Sequence, residues 1–137
     1  MQPITVTWDG GVRFTADIRG HKVSVDQPSQ GGGQDSAPMP LELLPTSLGT
    51  CVALFVQQFL VTRGLSAEGL TVTVTATGAP NPQRIGAFDV QVTIPGGVPE
   101  KYRDAVLRAA QTCTVHNTLE HRPEVKIAIR EGVGTRA

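Results

Sequence analysis

Two cysteines, Cys51 and Cys113, are the strongest nucleophiles in this 137-residue chain. In a reducing compartment two cysteines are too few for a disulfide scaffold, and they read as free thiols, metal ligands or a redox pair. Leu48 and Phe55 stand three before and four after Cys51 on one helical stripe, so its sulfur faces apolar surroundings. Taken alone, such a cysteine reads as a small buried hydrophobe. Cys113 stands where one helical pattern stops, between Thr112 and Thr114. With Thr112 as an N-cap the thiol falls in a first helical turn, where backbone N–H groups and the macrodipole favour a thiolate. His116 follows at i+3 and, as a cation, lowers that thiol further, so local electrostatics name Cys113 as the more acidic sulfur.

A zinc site built from Cys51, Cys113, His116 and His121 has the right donor types but the wrong spacing, because Cys113-x-x-His116 is the one close pair. Serine catalysis has less support: Ser47 lies in Thr-Ser-Leu-Gly-Thr rather than in a Gly-x-Ser-x-Gly elbow. No lysine with a following Ser or Thr stands beyond the three consecutive glycines of the 27–38 segment, so no phosphate-binding loop is expected there. No metal and no cofactor is therefore expected.

The elements that must position the two sulfurs follow from periodicity. Ile4, Val6 and Trp8 alternate with Thr5 and Thr7, and Asp9-Gly10-Gly11 is a hairpin turn signal. Val12, Phe14 and Ala16 continue to Ile18, Gly20 breaks the run, and Val23 and Val25 supply a third strand. The 27–38 segment lacks apolar periodicity and reads as a long mobile loop. From Pro40 to Thr62 the apolar residues recur at helical spacing, with Gly64 as a stop; Pro45 suggests that the regular helix begins only there. Residues 70–77 and 87–94 read as two paired strands, and Pro99 as the start of a helix in which Val106, Leu107 and Ala110 face inward. A short helix from Cys113 to Glu120 and a last strand through Val125, Ile127 and Ile129 complete an α+β fold, with mostly antiparallel sheet covered on one side by helices.

Composition narrows the partners. The chain is 39% hydrophobic and 18% charged, which allows a core in a single domain spanning 1–137. Twelve basic and twelve acidic residues cancel, so no general attraction to nucleic acid or an anionic membrane surface is expected. No unbroken apolar run reaches the ~20 residues of a membrane helix. Met1-Gln2-Pro3-Ile4 has neither a basic nor an apolar leader region, which leads to an expectation of the cytosol. A chain of this size with a neutral surface gains stability by associating, so an oligomer is expected.

Two segments carry a family resemblance. Ser36-Ala37-Pro38-Met39-Pro40-Leu41-Glu42-Leu43-Leu44, followed by Ser47-Leu48-Gly49-Thr50-Cys51, resembles the first cysteine motif of the OsmC/Ohr superfamily. Cys113-Thr114-Val115-His116-Asn117-Thr118-Leu119 resembles the second, and the element order matches along nearly the whole chain. The resemblance implies antiparallel sheets packed on a long central helix, in an intertwined homodimer with two sites at the subunit interface. It also implies a thiol peroxidase: Cys51 attacks an organic hydroperoxide and becomes a sulfenic acid, Cys113 condenses with it to a disulfide, and a dithiol reductant reopens the bond.

In the peroxidase branches an Arg held by a Glu stabilises the thiolate. Those branches carry the Glu ten positions before the cysteine, where this chain has Leu41; Glu42 stands nine before. Nine positions on a straight helix is about 900°, half a turn from the Cys51 face, so Glu42 reaches the site only if the chain bends at Pro45. Its other reading is an anion favoured by the helix N-terminus. Arg13 is the first candidate cation and Arg19 the second, with His116 as an acid or base. The competing function is a non-catalytic dimer that binds a small hydrophobic ligand in the pocket near Cys51.

Overall fold

The computed structural model describes residues 1–132. Strands β1 (Thr5–Trp8), β2 (Phe14–Ile18) and β3 (His21–Val25) form an antiparallel meander in which Trp8 faces Phe14 and Ile18 faces His21. Arg19 and Gly20, both at positive φ, make the two-residue turn between β2 and β3, which matches the twist of the strands it joins. This sheet lies apart from the core. Ile4, Val6 and Trp8 are exposed on it, at 51, 59 and 65%.

Helix α1 (Pro40–Thr62) is the axis of the rest. Proline at its first position costs no hydrogen bond, and the Glu42 carboxylate accepts from the Met39 N–H at 2.8 Å, satisfying one of the end donors. The helix does not wait for Pro45: it starts at Pro40 and runs through the proline as one element. It ends as its sequence asks, with Gly64 at φ 68°, the Leu65 N–H bonded to Leu60 O at 2.9 Å and the Gly64 N–H to Val61 O at 3.0 Å. At 23 residues α1 is long and apolar enough to cross a bilayer by length and composition, more than the sequence reading allowed. Here one of its faces is core: Leu48, Val52, Val56, Phe59 and Leu60 are buried together with Cys113.

Strands β4 (Thr71–Ala79) and β5 (Arg84–Thr93) form a hairpin whose inward Val72, Val74, Phe88, Val90 and Val92 pack on that face. The approach is closest at Gly49, where an added Cβ would lie 3.0 Å from the Val74 methyl. A 3-10 turn (Glu100–Tyr102) follows Pro99, and only then does α2 (Arg103–Gln111) begin, later than Pro99 suggested. Helix α3 (Thr114–Glu120) completes the layer beside α1.

Two expectations fail for physical reasons. The segment through Val125, Ile127 and Ile129 is no strand: it pairs with none of the described strands, and these side chains are 75, 89 and 89% exposed. The 27–38 segment has more internal structure than its composition suggests. Asp26 is buried and accepts from the N–H groups of Gln27, Gln34 and Ser36 and from the Ser36 hydroxyl, so one carboxylate ties the loop ends together. The fit is tight enough that a Cβ on Gly33 would fall 1.9 Å from Gln27 O.

Candidate active site

Cys51 sits at the middle of α1, half-buried, and Cys113 is fully buried at the junction of α2 and α3. Both are free thiols, and α1 packing against α3 sets Cys51 against the core cluster that holds Cys113. The local cap differs from expectation. Thr112 closes α2, donating its hydroxyl to Ala109 O at 2.7 Å, and Cys113 itself caps α3, its sulfur accepting the His116 N–H at 3.4 Å.

That one-residue shift reverses the electrostatics. Partial burial pushes the Cys51 thiol up, but the Cys113 S–H and the N–H groups of Val115 and Thr114 all donate to its sulfur and outweigh burial, leaving it below the ordinary thiol value. Burial pushes the Cys113 thiol up, and donation to Cys51 adds to this. The His116 N–H opposes the rise, the charge of a Cys51 thiolate reinforces it, and the Val115 N–H opposes it again without changing the sign. Cys51 is therefore the more acidic sulfur, not Cys113. The first-turn N–H groups of α3 are shared: those of Thr114 and Val115 favour a Cys51 thiolate, while the His116 N–H is given to Cys113, the residue that caps the helix.

The other expected residues scatter. His116 lies beside the pair, half-buried, its Nδ1 2.9 Å from Gln111 O and its Nε2 3.4 Å from a Glu120 carboxylate oxygen. Glu42 is committed to the Met39 N–H at the start of α1, the cap role rather than a site role. Arg13, in the loop between β1 and β2, donates through Nη1 to the Ser36 hydroxyl. Arg19 is exposed in its turn. Among the described residues, none of the groups that shift Cys51 is a cation. Sequence reasoning missed the Thr114 and Val115 amides, which belong to the backbone and carry no residue signature, and it missed Asp26 and Ser36.

A cavity of about 580 Å³ opens between β5 and the three helices, lined by Leu48, Val52, Phe88, Leu107, His116 and Leu119 among others. Leu48 and Val52 flank Cys51 on α1, so the cavity begins one side chain away from the sulfurs.

Residues 32–128 match the family of OsmC-like proteins, a span that includes both cysteines. The chain belongs to the OsmC family. Among solved structures it is similar to one from Psychrobacter arcticus, described as an osmotic stress induced and detoxification response protein, with 25% identity, TM-score 0.77, and 86% of this chain and 88% of that one covered. It also resembles in fold an organic hydroperoxide resistance protein from Elizabethkingia anophelis (22% identity, TM-score 0.60, 89% and 91% covered). A third is the organic hydroperoxide resistance protein OsmC from Legionella pneumophila (18%, TM-score 0.58, 87% and 90%). No curated protein matches the sequence. OsmC membership agrees with the α+β layout of antiparallel sheets on a long helix read from the sequence.

Proposed function

We propose that this chain is a thiol-dependent peroxidase of organic hydroperoxides, working as a homodimer in the reducing cytosol. The observation that carries the reading is the placement of two free thiols in one packed cluster, Cys51 on α1 against the buried core that holds Cys113 at the start of α3. A thiolate so stabilised attacks the terminal oxygen of a hydroperoxide. The O–O bond breaks, its electron pair leaves with the alkoxide, which takes a proton to become an alcohol, and Cys51 is left as a sulfenic acid. Cys113 then attacks the Cys51 sulfur, the S–O bond breaks, water leaves and the disulfide forms. A dithiol reductant restores both thiols by exchange. The cavity beside Leu48 and Val52 offers an alkyl tail the side chains of Phe88, Leu107 and Leu119, with the polar Gln111, His116 and Glu120 also on its wall. Names of structural relatives that include organic hydroperoxide resistance support the substrate class.

The dimer is supported by what one chain leaves uncovered: the apolar residues of β1, and Ile127 and Ile129 on a segment with no partner strand among the described residues. Peroxide consumption with excess dithiol tests the activity. Wild type is expected to turn over an alkyl hydroperoxide, and Cys51→Ser to lose turnover entirely. Turnover that survives in Cys51→Ser contradicts the reading.

One observation favours binding without catalysis: the cavity is lined by His116 but by neither sulfur. On that reading the wild-type chain consumes no peroxide while an apolar fluorescent probe still saturates the cavity.

A further inference from the structure

The charge on the wall of the cavity beside Leu48 and Val52 comes from one face of α3. Helix α1 and strand β5 meet the cavity with apolar residues alone, and α2 adds apolar residues and the amide of Gln111. His116 and Glu120 are the titratable side chains among the described lining residues, and no lysine or arginine joins them. Arg108 of α2 and Asp89 of β5 are exposed and stand off the wall. The hydrocarbon around the pair is itself open to a ligand: Leu107 and Leu119 are 58 and 38% exposed.

The sign of that charge follows from geometry. His116 and Glu120 stand one helical turn apart, with Nε2 3.4 Å from a carboxylate oxygen. The other edge of the ring is fixed, because Nδ1 lies 2.9 Å from Gln111 O; a carbonyl oxygen only accepts, so Nδ1 carries the hydrogen. A neutral ring then leaves the wall with the one negative charge of Glu120, and an imidazolium brings it to zero. In neither form is the wall positive. It gives an apolar tail its contacts and opposes a negative group carried on that tail, a repulsive element of the kind that builds specificity. The Glu120 side chain is 65% exposed, so the repulsion is that of a solvated charge.

We propose that Glu120, partnered by His116, is a specificity-determining residue of this cavity, which admits uncharged ligands and disfavours those that carry a carboxylate. The proposal rests on the peroxidase reading for its ligand, the tail of an organic hydroperoxide. The test is displacement of the neutral fluorophore N-phenylnaphthylamine by octanol and by octanoate, which share one chain length. Glu120→Gln is expected to tighten octanoate about fivefold and leave octanol unmoved, the scale of one like charge a few ångströms away in water. Glu120→Lys tightens octanoate further, and that gain shrinks as salt is added. Both substitutions remove a negative charge from the last turn of α3, where the helix dipole disfavours it, so the helix is expected to stay folded. The proposal is overturned if octanol does not displace the probe from wild type, if neither variant changes octanoate, or if octanol moves in step with octanoate. Because binding rather than turnover is read, a chain that sorts the two ligands this way but consumes no peroxide contradicts the peroxidase reading and leaves the role of Glu120 standing. Turnover of peroxide without such sorting overturns the role of Glu120 alone.

Discussion

The Cys113 thiol donates its proton toward the Cys51 sulfur, and the direction of that one contact sorts two chemically identical side chains into different roles. The acceptor is stabilised as an anion. The donor is buried and held neutral until its partner has been oxidised, when it becomes the nucleophile of the second step. Removing the donor tests this. Cys113→Ala is expected to slow Cys51 alkylation at neutral pH by about tenfold, the scale of one hydrogen bond to a charged group. In the same variant a sulfenic acid on Cys51 should persist long enough to be trapped by dimedone, and its absence after peroxide would contradict the assigned order.

Acid stability should depend on Asp26. Its folded carboxyl titrates below its unfolded value, so the unfolded chain binds more protons between the two. The stabilisation is fully present above the unfolded value, near pH 4, and is lost as pH falls toward the folded one. Urea midpoints measured from neutral pH downward are expected to fall across that acid range in wild type and to fall less steeply in Asp26→Asn.

Leu60 has no exposed surface and closes the core where α1 ends, bonded through its carbonyl to the Leu65 N–H. Leu60→Ala leaves a cavity and is expected to cost about 2–5 kcal/mol in urea denaturation. A loss below about 1 kcal/mol would contradict the placement of this residue in the core.

The homodimer makes its own prediction. Ile127 and Ile129 alternate on one extended segment and are almost fully exposed in a single chain. Paired Ile127→Asp and Ile129→Asp substitutions are expected to shift the protein from dimer to monomer in light scattering after size exclusion. Wild type eluting as a monomer would contradict the proposed assembly.

The parts of this fold that satisfy themselves locally were legible in the sequence. Helix α1 shows its apolar period from Pro40 and its stop at Gly64, although Pro45 suggested a later start, and the alternation of Val72 and Val74 with threonines gives a half-buried strand. The segment holding Ile127 shows the same period of two, yet pairing needs an edge, and periodicity does not say whose. At the site, residue type revealed both sulfurs but not their order. That order depends on which residue caps α3: with Cys113 rather than Thr112 as the cap, the Thr114 and Val115 amides favour a Cys51 thiolate while the His116 amide goes to Cys113. Glu42 illustrates the opposite limit: its cap role and its site role begin from the same few letters, and only the bond to Met39 separates them.

The central claim is that Cys51 and Cys113 form one redox unit, and counting free thiols before and after a single equivalent of an alkyl hydroperoxide tests it most directly. Two thiols per chain should disappear, and both should return with a dithiol. If no thiol is lost, or one is lost and no disulfide links the Cys51 and Cys113 peptides, the account is wrong.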